Sequence, residues 1–154
     1  MTRIAILTCS NITGELQCPS FQCFDALWDG KGQFARYGQN NRPPRLVGII
    51  SCAGCPTAVA PEKLFRRVRP LVAAGVEVIH LSTCLTVVCP FKKKYLELLK
   101  VKYPGVTLVE GTHEAPEGIK PELFVEGLKT TLSKMLTQPQ KSMADMISFQ
   151  RYPG

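Results

Sequence analysis

The sequence predicts an α/β protein: a three-layer, open parallel sheet of about four strands with its cysteines clustered at the carboxyl edge. Two observations carry this expectation. Four short runs, residues 3–9 (RIAILTC), 45–52 (RLVGIISC), 77–84 (EVIHLSTC) and 106–112 (VTLVEGT), are apolar on both alternating faces, as strands are when helices cover both sides of a sheet. The segments between them are long enough for crossover helices. Alternating strand and helix then gives right-handed crossovers, and all strands end at one rim, the pattern of flavodoxin- and Rossmann-like domains.

Each connection has its own signature. Residues 61–74 (PEKLFRRVRPLVAA) put Leu64, Val68, Leu71 and Val72 on one helical face, with Gly75 as a stop and Pro70 as a mark against a straight helix. Residues 90–103 (PFKKKYLELLKVKY) begin with Pro, space Phe91, Tyr95, Leu98 and Leu99 helically, and end before Pro104-Gly105. The first connection is expected to hold a helix over about residues 19–28, a turn at 30–32 and a short segment at 34–37. A further amphipathic helix is expected over about 122–136, followed by a tail over 138–154 whose Met143, Met146, Ile147 and Phe149 suit docking on this chain or a neighbour. The expected organisation is one α/β domain, residues 1–137, and a C-terminal tail through which an oligomer can form.

A chain of 154 residues and 17.0 kDa, 45% hydrophobic and 20% charged, buries a core without disulfide staples and is neither disordered nor coiled-coil. No run approaches the ~18–20 apolar residues of a membrane span, and the N-terminus lacks a signal-peptide pattern. A cytoplasmic location with no membrane partner is the expectation. Seven cysteines then point to metal or thiol chemistry, because disulfides do not persist in a reducing compartment.

Their placement sharpens the point. Cys9, Cys52 and Cys84 end three of the predicted strands and His113 follows the fourth. Cys55 completes a C-x-x-C with Cys52, Cys89 opens the third crossover, and Cys18 and Cys23 follow strand one. In an open parallel sheet the carboxyl edge, where strand order reverses, is where ligands bind. Adjacent strands lie ~4.8 Å apart and thiolates on a tetrahedral ion ~3.8 Å apart, so modest loop bending brings sulfurs together. Cys9, Cys52, Cys55 and Cys84 form the expected ligand set for a metal or cofactor, with Cys89, Cys18 and His113 in reserve. Cys23 reads equally as a small hydrophobe. His80, between Ile79 and Leu81, reads as a core histidine without a metal contact, and Trp28 as core.

The net charge of +7, from 19 Lys+Arg against 12 Asp+Glu, counts every thiol as neutral. Four thiolates on one divalent ion would bring it to about +5. Lys92-Lys93-Lys94 and Arg66-Arg67-Arg69 read as solvated helix faces, aromatic interleaving is sparse, and no specific nucleic-acid partner is expected. Gly30-Lys31-Gly32 is a turn and not a phosphate loop.

Cys52-Ala53-Gly54-Cys55-Pro56 after Leu46-Val47-Gly48, the Cys18-Pro19 and Cys23-Phe24 pairs, Lys31-Gly32 through Phe34-Ala35-Arg36-Tyr37, Val78-Ile79-His80-Leu81-Ser82, and Glu110-Gly111-Thr112-His113 together resemble the CGGC-domain family over about residues 3–113. Members are described as metal-binding proteins of mostly anaerobic bacteria and archaea. The resemblance therefore implies a metal site and supplies no reaction. Here Ala53 stands where the family name implies Gly. An iron–sulfur cluster is placed slightly ahead of Zn2+, on the thiol count and the Cys-Pro dipeptides at Cys18, Cys55 and Cys89. The competing reading is a thiol-disulfide oxidoreductase with Cys52 as nucleophile and Cys55 as resolving thiol.

Overall fold

The computed structural model describes residues 1–40 and 43–115. Four parallel strands, β1 (Arg3–Thr8), β2 (Arg45–Ser51), β3 (Val78–Leu81) and β4 (Thr107–Glu110), form one open sheet in the order β2-β1-β3-β4. The helices are α1 (Phe21–Trp28), α2 (Glu62–Ala73), α3 (Thr83–Val88) and α4 (Lys92–Lys102). A 3-10 segment follows α1 over Gly32–Asn40. The α/β parallel architecture expected from the sequence is the one observed. The expected helix at 122–136 and the tail at 138–154 lie outside the described residues. Among the described residues no helix is long and apolar enough to cross a membrane.

The central strand shows why both faces of these runs are apolar. Ile4 and Ile6 pack with Cys23, Ala26, Leu27 and Phe34 on one side. Ala5 and Leu7 pack with Leu64, Val68, Tyr95 and Leu99 on the other. Side chains alternate across a strand, so a strand covered on both faces has no polar phase. β2 departs from strict register: Ile4 pairs with Leu46 but Ala5 pairs with Gly48, leaving Val47 as one extra residue. At Gly48 an added Cβ would stand 2.9 Å from the Leu71 side chain, so the missing side chain lets α2 lie close on the strand.

Three expectations need correction. The run 77–84 is not strand to its end: β3 stops at Leu81, and Ser82, still bonded by its N–H to the Leu7 carbonyl at 2.9 Å, leads into α3. Cys84 therefore sits in the first turn of a helix. Its position is fixed by Thr83, whose N–H donates to Thr112 Oγ1 at 3.2 Å while the Thr112 N–H donates back to Thr83 Oγ1 at 3.2 Å. The long helix expected at 90–103 starts only at Lys92. Trp28 is not core but 80% exposed, because α1 turns Cys23, Ala26 and Leu27 inward and its last residue falls off that stripe.

Pro70 lies inside α2 without ending it. It is exposed, as is Arg66, whose carbonyl it leaves without an N–H partner. His80 is buried, as expected, and its ring is fully used: Tyr37 Oη lies 2.8 Å from Nε2 and the Gly111 carbonyl 3.1 Å from Nδ1. Its Nδ1–H donates to Gly111 and its Nε2 accepts from the tyrosine. Phe34 covers the ring at a centroid distance of 4.5 Å. Burial holds the imidazole pKa down to about 4, so it is neutral near pH 7.

Candidate metal centre

The sheet brings two of the expected sulfurs together directly. Thr8 pairs with Ser51, and the Cys52 N–H extends the ladder to the Thr8 carbonyl at 3.0 Å, so Cys9 and Cys52 are the next neighbours beyond the strand ends. Both are buried on the same face of the sheet. The neighbouring Cys9 thiol, with help from the backbone of Ser10 and Gly54 and from Tyr95, holds the Cys52 thiol below its ordinary range against the effect of burial. The Ser10 N–H stands 3.5 Å from Cys52 Sγ. Cys9 moves the opposite way, pushed up by its Cys52 neighbour and by burial.

Cys55 faces outward. Ala53 and Gly54 both take left-handed backbone angles, φ 67° and 96°, and turn the chain sharply so that Cys52 is buried while Cys55 is exposed. Glycine takes such angles freely, whereas an L-residue at Ala53 costs about 1–2 kcal/mol. The Cys55 sulfur lies 3.7 Å from Asn11 Nδ2.

A buried hydroxyl pair supports this loop from below. Thr57 Oγ1 donates to the Cys52 carbonyl at 2.9 Å and lies 3.0 Å from Tyr95 Oη. The Gly54 carbonyl, 2.6 Å from Thr57 Oγ1 and 3.2 Å from Tyr95 Oη, is a second acceptor for both. Neither residue stood out in the sequence, where Tyr95 read only as part of an apolar stripe. Tyr95→Phe is expected to lower unfolding stability by about 1 kcal/mol, visible as a lower denaturant midpoint at unchanged slope. An unchanged midpoint would show that the tyrosine hydroxyl does not hold the loop.

The other cysteines divide between this loop and the opposite side of the rim. Burial pushes the Cys89 thiol up, and charges on Cys52, Cys55 and Cys84 add to the effect. Cys84 Sγ lies 3.0 Å from Ser82 Oγ. Cys23 is buried against α1's side of the sheet with its sulfur 3.3 Å from Thr112 Oγ1. Burial pushes Cys23 up too, the threonine contact opposes this, and Cys84 and Cys18 contribute as nearby charges. His113 is turned elsewhere: it lines a hollow of about 580 Å³ with Asp25, Asp29, Lys31 and Glu114, and no cysteine borders that hollow.

Among the described residues, no three His, Cys, Asp or Glu side chains stand close enough together to hold an ion as placed. The donor chemistry nonetheless suits a soft metal. The cysteine-loop sulfurs receive polar N–H groups from Ser10 and Asn11, the outer hydrogen bonds that thiolate ligands use.

An α/β protein with a sulfur-rich carboxyl edge is the class that fold and site define. More narrowly, the CGGC domain profile matches residues 3–113, and the chain belongs to the CGGC domain family. No curated protein and no solved structure has a significant match to it.

Proposed function

We propose that this chain is a metal-binding protein whose ligands are Cys9, Cys52, Cys55 and Cys84, with Cys89 and Cys18 as the reserves. The observation that carries the reading is the meeting of Cys9 and Cys52 at the carboxyl edge, beside a turn that presents a third sulfur, Cys55, to the exterior. An iron–sulfur cluster is preferred to Zn2+ because seven thiols exceed what a tetrahedral ion needs. When bound, a cluster supplies one-electron transfer, and zinc supplies Lewis acidity or structural closure.

The chain's own residues provide the rest. Tyr95 and Thr57 hold the Cys52–Cys55 turn, and Ser10 and Asn11 donate to its sulfurs. His113, in its separate hollow, is the weakest member of the expected set. The test is metal analysis with a visible spectrum on protein purified without oxygen. A brown chromophore with iron and sulfide supports the cluster, and a colourless protein with about one zinc per chain supports the ion. Protein that holds neither, and takes up neither on anaerobic reconstitution, overturns the proposal.

A further inference from the structure

We infer that Cys9 and Cys52 are a redox-active dithiol pair that closes to an intramolecular disulfide across two neighbouring strand ends. The expected thiol-exchange pair was Cys52 with Cys55, and the structure gives Cys52 a different neighbour.

Register carries the inference. The chains of β1 and β2 run parallel and paired up to Thr8 and Ser51, which places Cys9 beside Cys52 at the ~4.8 Å spacing of adjacent strands. That spacing lies inside the ~4.4–6.8 Å range of Cα separations that a disulfide spans. Both side chains point into the same buried cluster, 8% and 4% exposed. The extra residue Val47 decides this. Were the pairing of Ile4 with Leu46 continued without it, Cys9 would face Ser51, and Cys52 would fall on the opposite side of the sheet. The C-x-x-C partner, by contrast, leaves the core through two left-handed residues and lies exposed against Asn11.

The chemistry is ordinary thiol–disulfide exchange with a small-molecule disulfide as oxidant. The Cys52 thiolate attacks one sulfur of the oxidant, forming a mixed disulfide and releasing one small thiolate. Cys9 loses its proton to solvent and attacks the Cys52 sulfur, forming the Cys9–Cys52 bond and releasing the second thiolate. Two electrons leave the protein and reduce one small disulfide to two thiols. A dithiol reductant reverses both steps. A bridged pair has no thiolate left to give, so oxidation and metal loading exclude one another; this last consequence alone rests on the metal reading.

The test uses the full chain, reduced and stripped of metal, equilibrated with oxidised glutathione, alkylated, and cut after Arg3, Glu15, Arg45 and Glu62. The expected product is a cross-link between residues 4–15 and 46–62, lighter by two hydrogens than the separate peptides and lost after reduction. It persists in Cys55→Ser and disappears in Cys9→Ser, with far-ultraviolet circular dichroism confirming that both variants fold. A bridge confined to residues 46–62 with Cys9 alkylated, or no bridge in fully oxidised glutathione, overturns the inference. Since the protein is metal-free, a failed metal reading leaves this result intact. If the metal reading also holds, metal-loaded protein forms the cross-link at least ten times more slowly.

Discussion

Cys52→Ser and Cys55→Ser are each expected to reduce bound metal from stoichiometric to background, while Cys23→Ser leaves most of it in place. Structural zinc sites bind with about 10–16 kcal/mol near pH 7, so exchanging one of four ligands for a hydroxyl forfeits about 3 kcal/mol, roughly a hundredfold in affinity, which lets a chelator matched to the parent site strip the ion. In the proposed ligand set Cys52 and Cys55 supply one thiolate each, one from the buried and one from the exposed side of the turn, so losing either removes a ligand. Cys23 stands on the other face of the sheet, its sulfur occupied by Thr112. Metal content after dialysis against such a chelator separates the cases. If the double variant with serine at 52 and 55 keeps its metal, the C-x-x-C is not the site and thiol chemistry becomes the leading function.

The second large effect is acid destabilisation centred on His80. Its pKa lies at about 4 in the folded chain against an ordinary 6.5, so between those values the unfolded chain binds more protons than the folded one. Stability therefore falls as pH drops from about 6.5 to about 4, and below that this group costs nothing further. The integrated loss is about 3 kcal/mol. His80→Gln, which keeps hydrogen-bonding capacity toward Tyr37 and Gly111, is expected to be less stable near pH 7 yet to lose less between pH 6.5 and 4. Urea denaturation across that range reads the slope directly. Equal slopes in the parent and the variant would remove His80 as the source.

How much of this was legible in the sequence depends on how local each cause is. The strands were readable because burial on both faces leaves a continuous apolar signature in residues such as Ile4 to Leu7. His80 was readable as core from Ile79 and Leu81, but its partner Tyr37 comes from a segment 43 residues away and leaves no mark near it. Cys84 is misplaced because Leu81-Ser82-Thr83-Cys84 carries no Gly, Pro or charge to mark the strand's end, and only the threonine contacts between Thr83 and Thr112 show where the helix takes over. Trp28 was misplaced because hydrophobicity alone does not say on which side of a helix a residue stands. The sequence placed Cys9 and Cys52 on one rim. It did not show them adjacent, since that depends on Val47, and a one-residue irregularity in pairing has no compositional signal.

The extra residue in β2 also has a consequence in time. Cys9 is made early, yet its sulfur neighbour lies 43 positions later, and the tyrosine that steadies the neighbour's turn comes later still, in α4. At about 5–20 residues per second of synthesis, the Cys9 thiol waits several seconds before β2 can pair with β1 in its shifted register. Central strand β1 is complete only when β3 has joined its other side. Throughout that interval Cys9 has no β2 beside it, and of the two sulfurs it is the one that waits for its partner during the chain's birth.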